Sequence, residues 1–306
     1  MKFLKKNQDS FVEKGIDKSV KKHTSRSDLV LRYIRRYPLV GQFFNIIFSH
    51  PAGLYPAAGQ YCLVNDCYHF IYCSVGRVAS GSLRIWFLKT LGYKEPKGGD
   101  AFLYSLGSYK ACYARNCWRE YFKFAFVRHP LSRLVSAYHR IFVMTLRKGY
   151  DHQERFFRHA FPVVSEVYRR QNKTPDLDKS ITFQEFVEYI ASVEDDVLLD
   201  EHWRPQSWFV RPSKYDFIGH FESIGDDFRF IREKLNIEES IDYSHESGIS
   251  QKGSACNTTS NSNLSQKLPS SLLRMGPISD YRSFYTAQLW DMAAKRYRND
   301  ILLFTY

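Results

Sequence analysis

The stretch from Tyr68 to Gly92, YHFIYCSVGRVASGSLRIWFLKTLG, constrains this chain most, because it reads as a buried strand, a glycine-bearing turn and a helix. Tyr68 to Val75 is a short run of aromatic and β-branched residues, the composition of a strand covered on both faces. Gly76 ends the run. Ser82 is placed to cap the helix, Leu83, Trp86, Phe87 and Leu91 recur at helical spacing, and Gly92 stands where a left-handed C-terminal residue is expected. The loop Gly76-Arg77-Val78-Ala79-Ser80-Gly81-Ser82 then lies at a helix N-terminus, where free N–H groups and the helix dipole favour phosphate or sulfate. Gly76 and Gly81 have the spacing of a Walker loop, but Ser82 stands in place of the lysine that reaches the β- and γ-phosphates of a nucleoside triphosphate. The cation is Arg77 instead, with hydroxyls at Ser80 and Ser82. Taken alone, the loop leaves an ordinary Gly/Ser connection open.

A chain of 306 residues, 44% apolar and 16% aromatic, can bury a full core, so one large domain with elaborations is expected. Its formal charge of +12 favours anionic partners without choosing among nucleotide, acidic glycan, membrane surface or nucleic acid. No window of about twenty apolar residues occurs, and the N-terminus lacks the apolar core of a signal peptide, so a cytoplasmic protein is expected unless an anchor precedes this chain. The six cysteines, Cys62, Cys67, Cys73, Cys112, Cys117 and Cys256, form no CxxC pair and no metal spacing. Free thiols are expected. In a secretory compartment disulfides would become possible, and Asn172 and Asn257 would become glycosylation acceptors.

Residues 1–27 read as a basic peripheral arm, with a helix over Asp28 to Arg36 and another over Tyr109 to Arg119. Tyr121 to Arg128 is a second short strand, followed directly by a helix with Pro130 at its first turn, His129 or Ser132 as cap, and Leu131, Leu134, Val135, Tyr138 and Phe142 on one face. If the two strands are parallel neighbours, Arg128 and Ser136 share a sheet edge with the first loop, and the two corners suit a ligand with two separated charges. Asp151 to Arg170 reads as a basic, aromatic helix and a candidate acceptor face. Thr182 to Glu185 is a capping box. Glu201 to Gln206, EHWRPQ, is polar without periodicity, as a loop entering a cleft would be. Lys214 to Gly219 reads as a third strand and Phe221 to Leu235 as a helix; Ser244 to Ser271 is too polar to fold alone and is expected to be flexible. Tyr281 to Tyr306 closes the chain as one amphipathic helix.

From Tyr68 to Tyr306 the chain resembles the carbohydrate sulfotransferases of the chondroitin 4-O-sulfotransferase type. The resemblance rests on FAFVRHPLSRLVSAY from Phe124 to Tyr138, EHWRPQ from Glu201, KYDFIGHFE from Lys214 and YRNDILLFTY from Tyr297, in that order. It implies an α/β, P-loop-like three-layer fold with a central, mainly parallel sheet flanked by helices, in a sulfotransferase domain over 61–306. Residues 1–60 would form the arm and its approach, and about 244–275 a flexible loop. The co-substrate implied is 3′-phosphoadenosine 5′-phosphosulfate (PAPS), with Arg77, Val78, Ala79, Ser80, Gly81 and Ser82 on the 5′-phosphosulfate, Arg128 and Ser136 on the 3′-phosphate, and no metal. One departure stands out: the family's first motif carries Pro-Lys and Cys-Thr where this chain has Gly76-Arg77 and Ser80-Gly81, and an arginine lacks the compact ammonium of lysine.

The expected reaction is in-line sulfuryl transfer to a hydroxyl of a carbohydrate acceptor, lipid-linked ones included, releasing adenosine 3′,5′-bisphosphate. Arg77 would neutralise the leaving phosphate and His202 would act as general base, since imidazole titrates near neutral pH. Bracing the cleft through Trp203 is the alternative role for His202, and Glu222 the alternative base. His129 is expected as a helix cap and His220 as a structural residue at a strand end. Contact of the basic arm with a membrane surface is compatible with its charge, and no nucleic-acid partner is expected. Two other readings stand beside this one: an inactive relative that binds PAPS without turnover, and a basic polyanion-binding protein whose binding would fall steeply with salt.

Overall fold

The computed structural model describes residues 62–95, 119–146, 156–241, 263–275 and 280–306. The basic arm, the helix expected over 28–36, nearly all of that expected over 109–119, and the polar segment 242–262 lie outside the described residues. Four strands form one sheet in the order β1 (Cys62–Asn65), β2 (Phe70–Cys73), β3 (Phe122–Val127) and β4 (Phe217–His220). β1 runs antiparallel to β2, whereas β2, β3 and β4 run parallel. The sequence reading contained no β1. Four residues joined to β2 by a tight turn carry little periodic signal. Asn65 closes that turn, its Oδ1 accepting from the N–H groups of Cys67 and Tyr68 at 3.0 Å each.

Alternating residues of β2 and β3 are buried on both faces: Phe70, Tyr72 and Phe124 on one, Ile71, Cys73, Ala125 and Val127 on the other. That is the double burial the apolar runs imply. Trp86 of α1 (Ser80–Thr90) packs against Phe70 and, edge to face at 4.9 Å, against Phe228 of a later helix. Burying side chains of this size stabilises the fold by roughly 1.5–3 kcal/mol each. Gly219 in β4 has no room for a side chain, since an added Cβ would stand 2.4 Å from Cε1 of Phe126.

α1 starts at Ser80, so Ser82 is not its cap. Ala79 holds that position in a left-handed conformation, with no side-chain hydrogen bond. Gly92, at φ +86°, ends the helix as expected, with Gly92 N–H on the Lys89 carbonyl and Tyr93 N–H on that of Leu88.

After β3, α2 (Pro130–Tyr138) is buried along its whole length and passes into a π-helical turn, His139–Val143. His129 stands at its N-cap position, but neither His129 nor Ser132 caps it through a side chain. α3 (Phe161–Arg170) and α4 (Phe183–Ser192) follow; the capping box at Thr182 is present in both directions, Glu185 N–H on Thr182 Oγ1 and Thr182 N–H on Glu185 Oε2. A single helical turn, α5 (Gln206–Phe209), precedes β4, and a 3₁₀ turn at Phe221–Ser223 opens α6 (Ile224–Leu235), the helix that carries Phe228.

The expected flexible loop is corrected where it is described. Within residues 263–275, Leu264 and Ser265 are buried, and α7 (Pro269–Met275) buries Leu272. The closing helix is corrected as well. A 3₁₀ turn at Tyr281–Phe284 leads to α8 (Ala287–Arg296) and α9 (Arg298–Leu303), broken at Tyr297. The break lets the buried Tyr297 hydroxyl donate to the Trp203 carbonyl and places Asp300 beneath α5. Among the described residues, no helix is long and apolar enough to cross a membrane.

Candidate active site

The parallel pairing of β2 with β3 brings their C-terminal ends, and so both expected anion corners, to one sheet edge. Arg77, at φ +69° in the turn after β2, reaches across to α2: its Nη2 lies 2.9 Å and its Nε 3.3 Å from Ser136 Oγ. Arg128, at the end of β3, directs Nη1 toward the Arg77 carbonyl at 3.4 Å, donates from Nε to Ser132 Oγ at 3.0 Å, and lies 4.2 Å over the Phe221 ring. Arg77, Arg128 and Ser136 are therefore one cluster.

The loop supplies donors of a second kind. The N–H groups of Ser80, Gly81 and Ser82 precede the first helical bond, from Leu83 N–H to the Ala79 carbonyl, and project from the helix end. Ser82 Oγ is buried with no hydrogen-bond partner among the described residues. A buried hydroxyl left without a bond costs about 1–3 kcal/mol; an anion oxygen at the helix end would satisfy it. Val78 and Ala79 bury their side chains, so only their backbone can serve a ligand.

EHWRPQ is the brace of this edge. Gln206 clamps the Arg128 backbone, accepting its N–H at 2.9 Å and donating to its carbonyl at 2.7 Å. Asp300 in turn accepts the N–H groups of Gln206 and Ser207 at 2.7 and 2.8 Å. The buried guanidinium of Arg133 donates to the carbonyls of Gly76, Arg204 and Glu201, tying the anion loop to the loop that carries His202. An added Cβ on Gly76 would stand 3.8 Å from His202 Cδ2, so that side of the imidazole lies against the loop after β2.

His202 is not alone. Its Nδ1 lies 2.7 Å from Asp200 Oδ1, and Nδ1 of His159, from the turn before α3, lies 2.7 Å from Asp200 Oδ2. Burial alone would raise the Asp200 carboxyl, but the charges and hydrogen bonds of His202 and His159 hold it well below the usual carboxylate range. An ionised carboxylate only accepts, so each imidazole presents Nδ1–H to it. These three side chains are also the group among the described residues whose donor atoms, all within 4.8 Å, are close enough to hold a metal ion. The sequence reading missed Asp200 and His159; the DxH spacing of Asp200 and His202 was a local signal, whereas His159 is 41 residues away.

Glu222 is engaged elsewhere, with Oε1 on His129 N–H at 2.8 Å and Oε2 on the Tyr306 hydroxyl at 3.1 Å. His129 sits among Tyr281, Trp290 and Tyr306, and burial lowers its pKa. His220 ends β4 as a structural residue, with Nε2 3.0 Å from the Phe304 carbonyl.

Known proteins bear on this cluster as a whole. The family model described as "Sulfotransferase family" matches residues 60–306. Carbohydrate sulfotransferase 14 of Danio rerio is 32% identical over 195 residues, covering 60% of this chain and 50% of its own length. Carbohydrate sulfotransferase 11 of Danio rerio is 27% identical over 204 residues, 61% of this chain and 56% of its own, and carbohydrate sulfotransferase 8 of Homo sapiens is 33% identical over 116 residues, 36% and 26%. The chain spans about half the length of these curated relatives. No solved structure matches. With a match that runs through both strand-to-helix corners, the EHWRPQ brace and the C-terminal helices, the chain belongs to the sulfotransferase family.

Proposed function

We propose that this chain transfers a sulfuryl group from PAPS to a hydroxyl of a carbohydrate acceptor. The observation that carries the reading is the 2.9 Å bond from Arg77 to Ser136, which makes one site of two strand-to-helix corners. PAPS, when bound, supplies a sulfuryl group on a phosphate that leaves readily. We read β2, its loop and α1 as a P-loop-like cradle within a three-layer fold. The N–H groups of Ser80 to Ser82, the Ser82 hydroxyl and Arg77 hold the 5′-phosphosulfate, with Val78 and Ala79 contributing backbone only. Arg128 and Ser136 hold the 3′-phosphate, a guanidinium and a hydroxyl being the donors a phosphate takes.

His202 takes the acceptor proton on Nε2 as the acceptor oxygen bonds to sulfur, and the electron pair of the broken bond remains on the 5′-phosphate beside Arg77. Catalysis then rests on positioning, on charge neutralisation and on the base. The carbohydrate acceptor is carried over from the names of the relatives. A second reading, binding without turnover, is favoured by one feature: Arg77 directs both Nε and Nη2 to Ser136.

Calorimetry with adenosine 3′,5′-bisphosphate tests the site. Binding at moderate salt is expected, weakened about 10–100-fold in Arg128→Ala through loss of a charge-assisted contact. No binding would refute the reading, and salt-sensitive polyanion binding in its place would favour the basic-protein alternative. Transfer from labelled PAPS across a glycan panel separates the rest: binding with a flat panel identifies the inactive relative.

A further inference from the structure

One carboxylate serving two imidazoles is more than an isolated base requires. His159 Nδ1 and His202 Nδ1 each lie 2.7 Å from a different oxygen of Asp200, and the two rings meet edge to face at 4.6 Å. With both Nδ1 atoms engaged as donors, both Nε2 atoms are left as acceptors. We propose that Asp200 is a positioning residue that locks His159 and His202 together as Nδ1–H tautomers, and that the two imidazoles form a single one-proton base rather than one base and a bystander.

The physics of the pair follows from the shared charge. A single carboxylate can balance one imidazolium; a second proton would place two cations with ring centres 4.6 Å apart on one negative charge. Burial lowers the pKa of His159 against the pull of Asp200, and the charges of His202 and Arg158 add to the lowering. His202 is the ring whose Cδ2 lies toward the loop after β2, so it is the one placed to meet an acceptor there. Among the described residues, ionisable groups near the pair include Arg158, Tyr189, on which the Asp200 charge acts, Glu201, next to His202 in the chain, and Arg133, bonded to the Glu201 carbonyl. A shared metal fits less well than shared protons. Nitrogen and oxygen ligands at about 2.0–2.2 Å from a tetrahedral ion stand roughly 3.3 Å apart, farther than these contacts.

The catalytic part of this inference rests on the proposed sulfuryl transfer, but its test does not. In the ¹⁵N-histidine-labelled full chain, with rings assigned through His159→Gln and His202→Gln, both imidazoles are expected as Nδ1–H tautomers at high pH. Either ring as the Nε2–H tautomer in the unaltered protein would overturn the proposal, with no variant needed. Two variants should then move the His202 titration midpoint in opposite directions. Asp200→Asn removes the balancing charge and lowers it; His159→Gln frees the carboxylate from a competing donor and raises it. Shifts of the same sign, or zinc displacing both Nδ1 protons at one equivalent, would refute the shared-proton pair. Bisphosphate binding measured on the same samples reports on the nucleotide site separately. Where transfer is observed, Asp200→Asn should lower kcat at least tenfold with bisphosphate affinity unchanged, and shift the acid limb of the pH profile downward.

Discussion

Arg133 shows how a single side chain can hold a site together without touching a ligand. Its guanidinium is buried and spends three donors on the carbonyls of Gly76, Arg204 and Glu201. Arg133→Met would leave three acceptors unsatisfied, and a loss of about 3 kcal/mol or more in urea unfolding is expected. Arg133→Lys should recover less than half of that, because a compact ammonium cannot span three carbonyls as a planar fork does. His129 makes the opposite kind of statement. Its pKa is lowered by burial, which Glu222 opposes and Arg282 and Arg128 reinforce. The unfolded chain therefore takes the proton first, near the ordinary value of about 6.5, and stability from neutral His129 is lost as pH falls through and below that value. In His129→Asn, the decline in unfolding free energy between pH 7 and pH 5 should be shallower than in the unaltered protein. At this scale the sequence marked out Arg77, Arg128 and Ser136, which the fold brings together, because each sits at a local strand–turn–helix signal. It was not readable for Arg133, whose three partners are remote in the chain.

Among the elements, α4 begins where its sequence says it should. The box of Thr182 and Glu185 is local chemistry, complete within four residues, and needs no tertiary partner. Thr182→Ala is expected to cost about 1 kcal/mol by thermal or urea unfolding while leaving bisphosphate affinity unchanged. α1 has no such cap, and the absence fits its place in the proposed site: a side chain capping those N–H groups would compete with an anion for them. The segment beginning at residue 263 reads as too polar to fold alone, and it does not fold alone. Leu264 and Leu272 are buried, while the Ser265 carbonyl accepts from Gln184 N–H and Leu264 N–H donates to Ser283. Composition measures what a segment can bury by itself and is blind to a groove offered by α4 and the turn before α8.

Over the whole molecule, the C-terminus reaches the sheet edge that carries Arg77 and Arg128 through a relay of hydrogen bonds. Asp300 holds Gln206, and Gln206 holds the backbone of Arg128. Asp300→Ala and Gln206→Ala should each weaken bisphosphate binding as well as stability. In a double-mutant cycle the pair should depart from additivity by about 0.5 kcal/mol or more, since they act on one element; additive losses would show that the relay does not transmit. By itself, the sequence determined the local units: strands buried on both faces, a glycine turn feeding a helix N-terminus, the capping box and the Gly92 stop. Each depends on neighbours within a turn or two of the chain. Only the tertiary structure decided that β2 and β3 lie side by side, so that Arg77 meets Ser136, and that His159 shares Asp200 with His202. Those contacts join residues tens of positions apart, and the pairing of strands and the packing of helices that bring them together are set by the burial of the entire core.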